Sequence, residues 1–169
     1  MTPPVLTTRR LTLRPITLDD AAAIQRGVNN WDVVQWLTAP PFPYSVDDAL
    51  HFINEIVPHT TSWAIDAGDG FIGTIGLKPA LGYWLDVDYH GQRILDEAAT
   101  AVVAWHFGQS GEALVSGHHL GDDASRQVLQ KQGFVDTGIE ERLQTSTQEN
   151  VTVQRMELTQ GVWMANLER

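Results

Sequence analysis

At 169 residues with 43% hydrophobic composition, the chain is long enough to bury the core of one domain, which we expect to span residues 1–169. Its 21 Asp and Glu residues against 11 Lys and Arg give a formal net charge of −10, which opposes binding to nucleic acid or to an anionic membrane. The absence of cysteine excludes disulfides, thiolate metal sites and cysteine nucleophiles.

The sequence carries neither the apolar run of a signal peptide nor an apolar stretch as long as a membrane span. We therefore expect a soluble, cytoplasmic protein. The acidic surface either favours cationic partners such as amines or only keeps the protein soluble.

The N-terminal third predicts a strand, a helix, a proline-containing loop and a second helix. Alternating Leu and polar residues indicate the strand, and apolar residues at helical spacing indicate the helices. Asn29 and Asn30 end the first helix, and Ser45 caps the second. These four elements are residues 10–15, 21–28, 31–44 and 46–57.

The clearest hairpin has Gly68 and Gly70 at its turn, because both can take the positive φ angles of a tight connection. Its strands are predicted over residues 62–67 and 71–77. After it the pattern predicts a strand, a helix, a strand, a helix and two strands, which together indicate one mixed α/β (α+β) domain. These elements are residues 81–87, 92–107, 113–116, 122–131, a segment within 134–145, and 151–158.

Two blocks carry the most specific pattern in the chain. Residues 82–107 read GYWLDVDYHGQRILDEAATAVVAWHF and residues 116–134 read SGHHLGDDASRQVLQKQGF. They place an aromatic strand, a glycine turn, a helix, a second strand and a Ser-containing helix start in that order. With these motifs the chain resembles the GNAT acyl-CoA N-acyltransferases, in particular the ribosomal-protein N-terminal acetyltransferases. The resemblance runs from TRRLTLRP at residues 8–15 to the last predicted strand.

The resemblance implies a single GNAT-like domain with a mixed, mostly antiparallel, twisted sheet flanked by helices. The cofactor would enter where the central strands diverge. The implied reaction is direct transfer of an acetyl group from acetyl-CoA to a primary amine, without a covalent acyl-enzyme. The amine acceptor would be a protein N-terminus or a small molecule, and a homodimer is left open.

The same resemblance implies which residues hold the cofactor. Backbone groups of the aromatic strand would pair with the pantetheine arm, as a peptide does when it extends a sheet. Backbone amides of the glycine turn and the following helix start would meet the pyrophosphate. An alternative for the two aromatic residues is plain core packing. The cofactor-binding residues predicted in this way are Tyr83, Trp84, Leu85, Gly91, Gln92, Arg93, Ile94 and Leu95.

The glycine turn departs from the family pattern, which has Gly at the position of Arg93 and Gly or Ala at that of Leu95. A β-carbon there restricts the backbone angles or holds the phosphate away. Either the Arg93 guanidinium compensates by pairing with a phosphate, or its bulk narrows the turn. The second alternative predicts a non-catalytic binding or scaffold protein with a degenerate loop. A third hypothesis is transfer of a bulkier acyl group.

The second block implies the catalytic residues. Ser125 would donate a proton to the departing thiolate, although a helix-start hydroxyl without a catalytic role is the alternative. Asp122 is the last of the predicted cofactor-binding residues. It stands where the family has Asn and can still cap the helix. His118 is a candidate base, or a hydrogen-bonded structural histidine. Because neighbouring strand residues point to opposite faces, at most one of His118 and His119 should face the cleft.

Three further sets of residues bear on function. His51 and His59 lie two helical turns apart and lack the spacing of a zinc helix, so we predict no metal site. Glu97 is expected to be solvated or to cap its helix. Trp31 and Trp36 would either line an acceptor pocket or pack in the core.

Overall fold

The computed structural model describes residues 2–78 and 80–169. In this part of the chain, short strands and helices alternate as the sequence pattern predicts. The strands are β1 (Leu6–Thr7), β2 (Thr12–Pro15), β3 (Ser62–Asp66), β4 (Phe71–Gly76), β5 (Gly82–Leu85), β6 (Leu114–His119), β7 (Val135–Gln144) and β8 (Glu149–Leu158). The helices are α1 (Ala21–Val28), α2 (Trp31–Val34), α3 (Val46–His51), α4 (Ile94–Phe107), α5 (Asp123–Gln132) and α6 (Gln160–Leu167).

The strands form two antiparallel sheets. The first has the order β1-β2-β3-β4-β5, and the second has the order β6-β8-β7. The prediction of a mixed α/β fold with antiparallel pairing and flanking helices is confirmed. The predicted sheet is, however, divided in two between β5 and β6.

Hydrogen bonds join the two sheets at Leu81. The Leu81 N–H donates to the Val115 carbonyl at 2.8 Å, and the Ser116 hydroxyl donates to the Leu81 carbonyl at 2.7 Å. Beyond this junction β5 and β6 separate, since each is the edge strand of its own sheet. The divergence of the central strands is therefore built into the backbone.

One apolar core joins the two sheets on the side of α4 and α5. Trp63 of β3 and Val102 of α4 are fully buried in it, together with Leu158 of β8. Burying side chains of this size stabilises the fold by about 1.5–3 kcal/mol each. A second core lies on the opposite face of the first sheet and includes Ile24 of α1 and Ala49 of α3. The sheets are thus fixed together on one side and can be open on the other.

The tight hairpin between β3 and β4 is confirmed, with φ of 101° at Gly68 and 120° at Gly70. The second predicted helix is also present, but it changes its winding. After α3 the chain makes a π turn at Phe52–Ile56 and a 3₁₀ turn at Val57–His59. Pro58, the predicted stop, lies within the last turn.

Several elements were not predicted. The proline-containing loop opens with the short helix α2, where Asn30 accepts a hydrogen bond from the Asp32 N–H at 2.9 Å. The prolines come only later in that segment, so they do not interrupt it. The C-terminal helix α6 follows a Thr159 cap, and its Trp163 ring lies 5.1 Å from the Phe107 ring. Because α6 packs against distant parts of the chain, its apolar residues show little helical periodicity in the sequence.

In residues 2–78 and 80–169, no helix combines the length and the apolar content needed to cross a bilayer. The same part of the chain holds no group of three or more His, Asp or Glu side chains placed to bind a metal ion.

Candidate active site

A cleft of about 1020 Å³ opens where the sheets diverge. Its walls are β5 and β6, the first turns of α4 and α5, and the segment of residues 31–44. Arg142, Val153 and Arg155 of the β7-β8 pair also line it. The cleft therefore brings together both sequence blocks and the proline-containing segment.

The cleft side of β5 presents free backbone groups. The Asp86 N–H donates to the Ile72 carbonyl at 2.8 Å, so alternate residues of β5 bond to β4. By that alternation the backbone groups of Tyr83 and Leu85 point to the cleft. The Leu85 carbonyl already accepts a hydrogen bond from the His90 ring at 2.8 Å. The Tyr83 N–H and carbonyl and the Leu85 N–H are left facing the cleft.

The turn before α4 has the left-handed backbone conformation typical of glycine, even though Arg93 stands in it. Gly91 has φ of 80°, and Arg93 has φ of 57° and ψ of 28°, in the left-handed region. This conformation costs a non-glycine residue about 1–2 kcal/mol. The Arg93 side chain is exposed, whereas Leu95 is half-buried against the core. The first amides of α4, which have no intrahelical acceptor, remain available at the cleft.

A group of hydrogen bonds from the segment before β2, called the clamp, holds this turn. The Arg10 guanidinium donates to the carbonyls of Gln92 and Arg93, at 2.8 and 3.3 Å. Glu97 in turn accepts from the Arg10 backbone N–H and Nε, both at 2.8 Å, and from the Thr8 hydroxyl. Hydrogen bonds from Arg10 and Thr8 lower the pKa of Glu97, although its partial burial acts in the opposite direction. Glu97 is thus a structural tie, rather than the solvated or capping residue expected.

Ser125 lies at the start of α5, next to the β5 edge. The Asp122 carboxylate accepts a hydrogen bond from the Ser125 N–H at 3.2 Å, so the predicted cap is present. The Tyr83 hydroxyl donates to the Ser125 carbonyl at 3.1 Å and lies 2.9 Å from the Ser125 Oγ. Burial raises the pKa of Tyr83, which keeps its phenol protonated, and burial also raises the pKa of Asp122.

The two aromatic side chains of β5 have different surroundings. The Trp84 ring packs on Phe71, with ring centroids 5.7 Å apart, and belongs to the second core. A β-carbon at Gly27 would lie 2.5 Å from this ring, so the glycine of α1 makes room for it. Core packing therefore describes the Trp84 side chain, while the Tyr83 hydroxyl reaches Ser125.

The two neighbouring histidines diverge. The His118 Nδ1 lies 3.0 Å from the His119 carbonyl, and its Nε2 lies 3.3 Å from the Arg126 guanidinium, which is bound to Asp136. The His119 Nε2 lies 2.9 Å from the Thr38 hydroxyl, in the segment of residues 31–44. Burial lowers the pKa of His119, so its imidazole is neutral at neutral pH. Of the two, His119 points toward the segment that covers the far end of the cleft.

The covering segment is anchored to the second sheet. The Gln144 side chain donates to the carbonyls of Gln35 and Leu37, at 2.8 and 3.1 Å. Trp36 lines the cleft, which agrees with the first of its two predicted roles. Trp31 instead packs on Phe42, with ring centroids 5.6 Å apart, and remains 43% exposed.

Sequence reasoning did not find four contributors to this cleft: the Arg10 clamp, the His119–Thr38 contact, and the side chains of Arg142 and Arg155 on the second sheet. Each depends on a contact between distant parts of the chain. The one local signal was the Thr-Arg-Arg-Leu run ahead of β2, which the resemblance had already included.

Comparison with known proteins agrees with this geometry. The family model "Acetyltransferase (GNAT) domain" matches residues 10–135. The chain therefore belongs to the GNAT acetyltransferase family. No match was found among curated proteins.

Solved structures share the fold at low sequence identity. A T. thermophilus protein solved as a candidate acetyltransferase superposes with a TM-score of 0.85 at 20% identity, over 100% of this chain and 96% of its own. RimL, a ribosomal L7/L12 α-N-protein acetyltransferase solved with coenzyme A, gives 0.79 at 17% identity, over 92% and 98%. Mycobacterium smegmatis RimJ in complex with CoA-disulfide gives 0.77 at 17% identity, over 94% and 88%.

Proposed function

We propose that this protein transfers an acetyl group from acetyl-CoA directly to a primary amine, either a protein N-terminus or a small molecule. One observation carries the proposal. The free backbone edge of β5 at Tyr83 lies between a turn with left-handed residues and the hydroxyl of Ser125. An extended amide-bearing arm can extend that edge as a peptide would.

The proposed cofactor contacts follow from the same surfaces. Tyr83 and Leu85 offer backbone groups to the pantetheine arm. The amides at the start of α4 offer donors to the pyrophosphate, and the positive end of the helix dipole adds to them. The exposed Arg93 guanidinium is free to pair with a phosphate, which supports compensation rather than obstruction.

Acetyl-CoA supplies an acetyl group that its thioester activates, and the protein's task is to place groups around it and manage protons. We assign Ser125 Oγ as the donor to the departing sulfur. The Tyr83 hydroxyl has one proton, which it shares between the Ser125 carbonyl and Oγ, 2.9 Å away. When Tyr83 donates to Oγ, the serine directs its own proton to the departing sulfur. The raised pKa of Tyr83 favours this donor role.

An amine must lose a proton during transfer, and two histidines are available to take it. Both ring nitrogens of His118, the candidate predicted from sequence, have hydrogen-bond partners away from the covering segment. His119 is neutral and faces that segment through Thr38. We therefore propose His119 beside His118 as the candidate base, and comparison of the two variants decides between them.

Calorimetry with acetyl-CoA tests the proposal. We expect binding to the wild type, and weaker binding to Arg93→Gly because the phosphate contact is lost. The catalytic assay measures CoA release with and without an added amine. Binding only in Arg93→Gly, or no amine-dependent release with any thioester, would instead support the scaffold alternative. Faster release from longer thioesters would indicate a bulkier acyl group.

A further inference from the structure

The charged residues that line the cleft carry a small net positive charge, whereas the whole protein is negatively charged. Five of the chain's 11 Lys and Arg residues line it, against four of the 21 Asp and Glu residues. Of these five, Arg93 lies in the turn before α4, Lys131 pairs with Asp96 in the first turn of α4, and Lys78 follows β4. The remaining two, Arg142 and Arg155, lie on the second sheet, away from the proposed pyrophosphate site. Their presence there is not explained by cofactor binding.

Strand register places these two arginines around His119. Val153 of β8 is opposite His119 on one side and Glu140 of β7 on the other. Arg155 is two residues from Val153 along β8, and Arg142 is two residues from Glu140 along β7. Residues two apart share a face and are about 7 Å apart. Both side chains are therefore on the His119 face of the sheet, Arg155 on the neighbouring strand and Arg142 one strand farther. The charge of Arg142 is one of the causes that lower the pKa of His119, after burial.

The arginine pair has an unbalanced positive charge. Glu140 accepts a hydrogen bond from Arg155 Nη1 at 3.2 Å and also pairs with Arg142. Within residues 2–78 and 80–169, this carboxylate is the only acceptor bound by either guanidinium group. Two cations thus share one anion, and most of their N–H donors remain free. Glu140 also holds the two side chains in place.

The opposite wall of the cleft has the complementary charge. Asp32 of α2 and Asp48 of α3 line it from the helical side. An acceptor that carries both an ammonium and an anionic group would find a partner for each on entering. A simple alkylamine would leave the arginines unmatched.

We propose that the acceptor is a small amine bearing a carboxylate or phosphate a few bonds from its nitrogen, and that Arg142 and Arg155 bind that anion. This inference rests on the proposed acetyltransferase function and names its acceptor class. The position of both arginines on the His119 face favours a compact acceptor over a peptide, in which the nearest anion is commonly farther from the N-terminus. Arg142 and Arg155 act as specificity-determining residues.

The test uses matched pairs of amines with the intact protein. L-Alanine is compared with L-alaninamide, and phosphoethanolamine with ethanolamine, by amine-dependent CoA release. The first pair tests a carboxylate and the second a phosphate. A tripeptide amide with and without Asp at its second position forms a third pair. The variants are Arg142→Gln, Arg155→Gln and, as a control with the same charge change on the exposed face of α1, Arg26→Gln.

We expect kcat/KM to favour the anionic member of at least one small pair by about 10- to 100-fold, as for a charge-assisted hydrogen bond. Arg142→Gln and Arg155→Gln should each reduce that preference about tenfold or more. Both should leave the KM for acetyl-CoA unchanged and should reduce the rate with the neutral amine far less than the rate with the anionic amine, and Arg26→Gln should retain the preference.

Equal use of charged and neutral amines by the wild type would overturn the inference while leaving the acetyltransferase intact. A preference confined to the acidic peptide would also overturn it, in favour of a protein acceptor. Calorimetry of the amine pairs in the presence of CoA covers the case in which no turnover is seen. Binding of the anionic amine that both variants lose then supports the inference, and equal binding of both amines contradicts it.

Discussion

At the scale of single residues, the hydroxyl pair of Ser125 and Tyr83 is the contact closest to the proposed chemistry. If Ser125 protonates the leaving sulfur, Ser125→Ala should lower kcat about 100-fold, the lower end of the range for general acid catalysis. The KM for acetyl-CoA should change little, because most of the proposed cofactor contacts are made by the backbone. Steady-state kinetics measures both values.

Tyr83→Phe is the companion variant, since it keeps the ring and removes only the hydroxyl. It should lower kcat less than Ser125→Ala does, because the serine retains its own proton. Equal activity of wild type and Ser125→Ala would show that this hydroxyl only serves the helix start.

The pH dependence of the rate separates the two histidines. Burial lowers the pKa of His119, so the imidazole stays neutral down to a pH below the 6.5 of an ordinary histidine. The ratio of wild-type to His119→Gln rates cancels the titration of the amine. We expect this ratio to be constant above pH 6.5 and to fall toward one at lower pH, as His119 becomes protonated.

His118→Gln provides the comparison for that experiment. Its rate ratio to the wild type should show no such pH dependence if His118 only binds Arg126. The reverse pattern, with the pH-dependent ratio in His118→Gln, would return the role of base to the residue predicted from sequence.

Residue types and local order revealed only part of this site. The Ser125 position and its Asp122 cap were predictable because a helix start is a local pattern. The Tyr83–Ser125 contact spans 42 residues, and the His119–Thr38 contact spans 81. Such contacts depend on the packing of whole elements, and one sequence carries no direct sign of them.

At the scale of elements, the Arg10–Glu97 clamp ties the start of β2 to the turn before α4. Glu97→Gln keeps the shape of the side chain but removes its charge, which weakens the hold on Arg10 and on the two turn carbonyls. We expect the KM for acetyl-CoA to rise about five- to tenfold, in line with a weakened charged hydrogen bond, with kcat nearly unchanged.

Glu55→Gln, an exposed change on the helical turn after α3, is the matched control and should leave both constants as in the wild type. Calorimetry with acetyl-CoA provides a second reading of the Glu97 variant. A fall in kcat with no change in cofactor binding would contradict the assignment of the clamp to the pyrophosphate turn.

Most helices and strands could be predicted from the sequence, because their apolar residues recur with a clear period and their ends carry common capping residues. Helix α6 was missed since its apolar residues contact distant partners and do not form a stripe of one period. Strand β6 runs on to His119, beyond the predicted residues 113–116, because pairing with β8 extends it. Tertiary pairing decides where such an element ends.

At the scale of the whole molecule, Ser116 links the two sheets. Its hydroxyl is buried and donates to the Leu81 carbonyl at 2.7 Å. Ser116→Ala leaves that carbonyl short of a donor, and we expect a loss of about 1–3 kcal/mol in the free energy of unfolding. Urea denaturation followed by circular dichroism measures the change.

Ser146→Ala is the matched control for this stability measurement. The Ser146 hydroxyl is buried without a hydrogen-bond partner in residues 2–78 and 80–169. Its removal should therefore leave the free energy of unfolding unchanged or slightly higher. Equal effects of the two substitutions would show that the junction hydrogen bond contributes nothing particular to the fold.

The divergence after Leu81 gives two nearby amides opposite behaviour toward solvent deuterium. The Leu81 amide is bonded to the other sheet, whereas the Tyr83 amide, two residues later on the same edge, faces open space. In the free protein, Leu81 should exchange slowly and Tyr83 quickly. A ligand that extends this strand would slow Tyr83 while leaving the exchange of Leu81 unchanged, so one pair of amide signals in an NMR spectrum reports occupancy of the cleft without any assay of turnover.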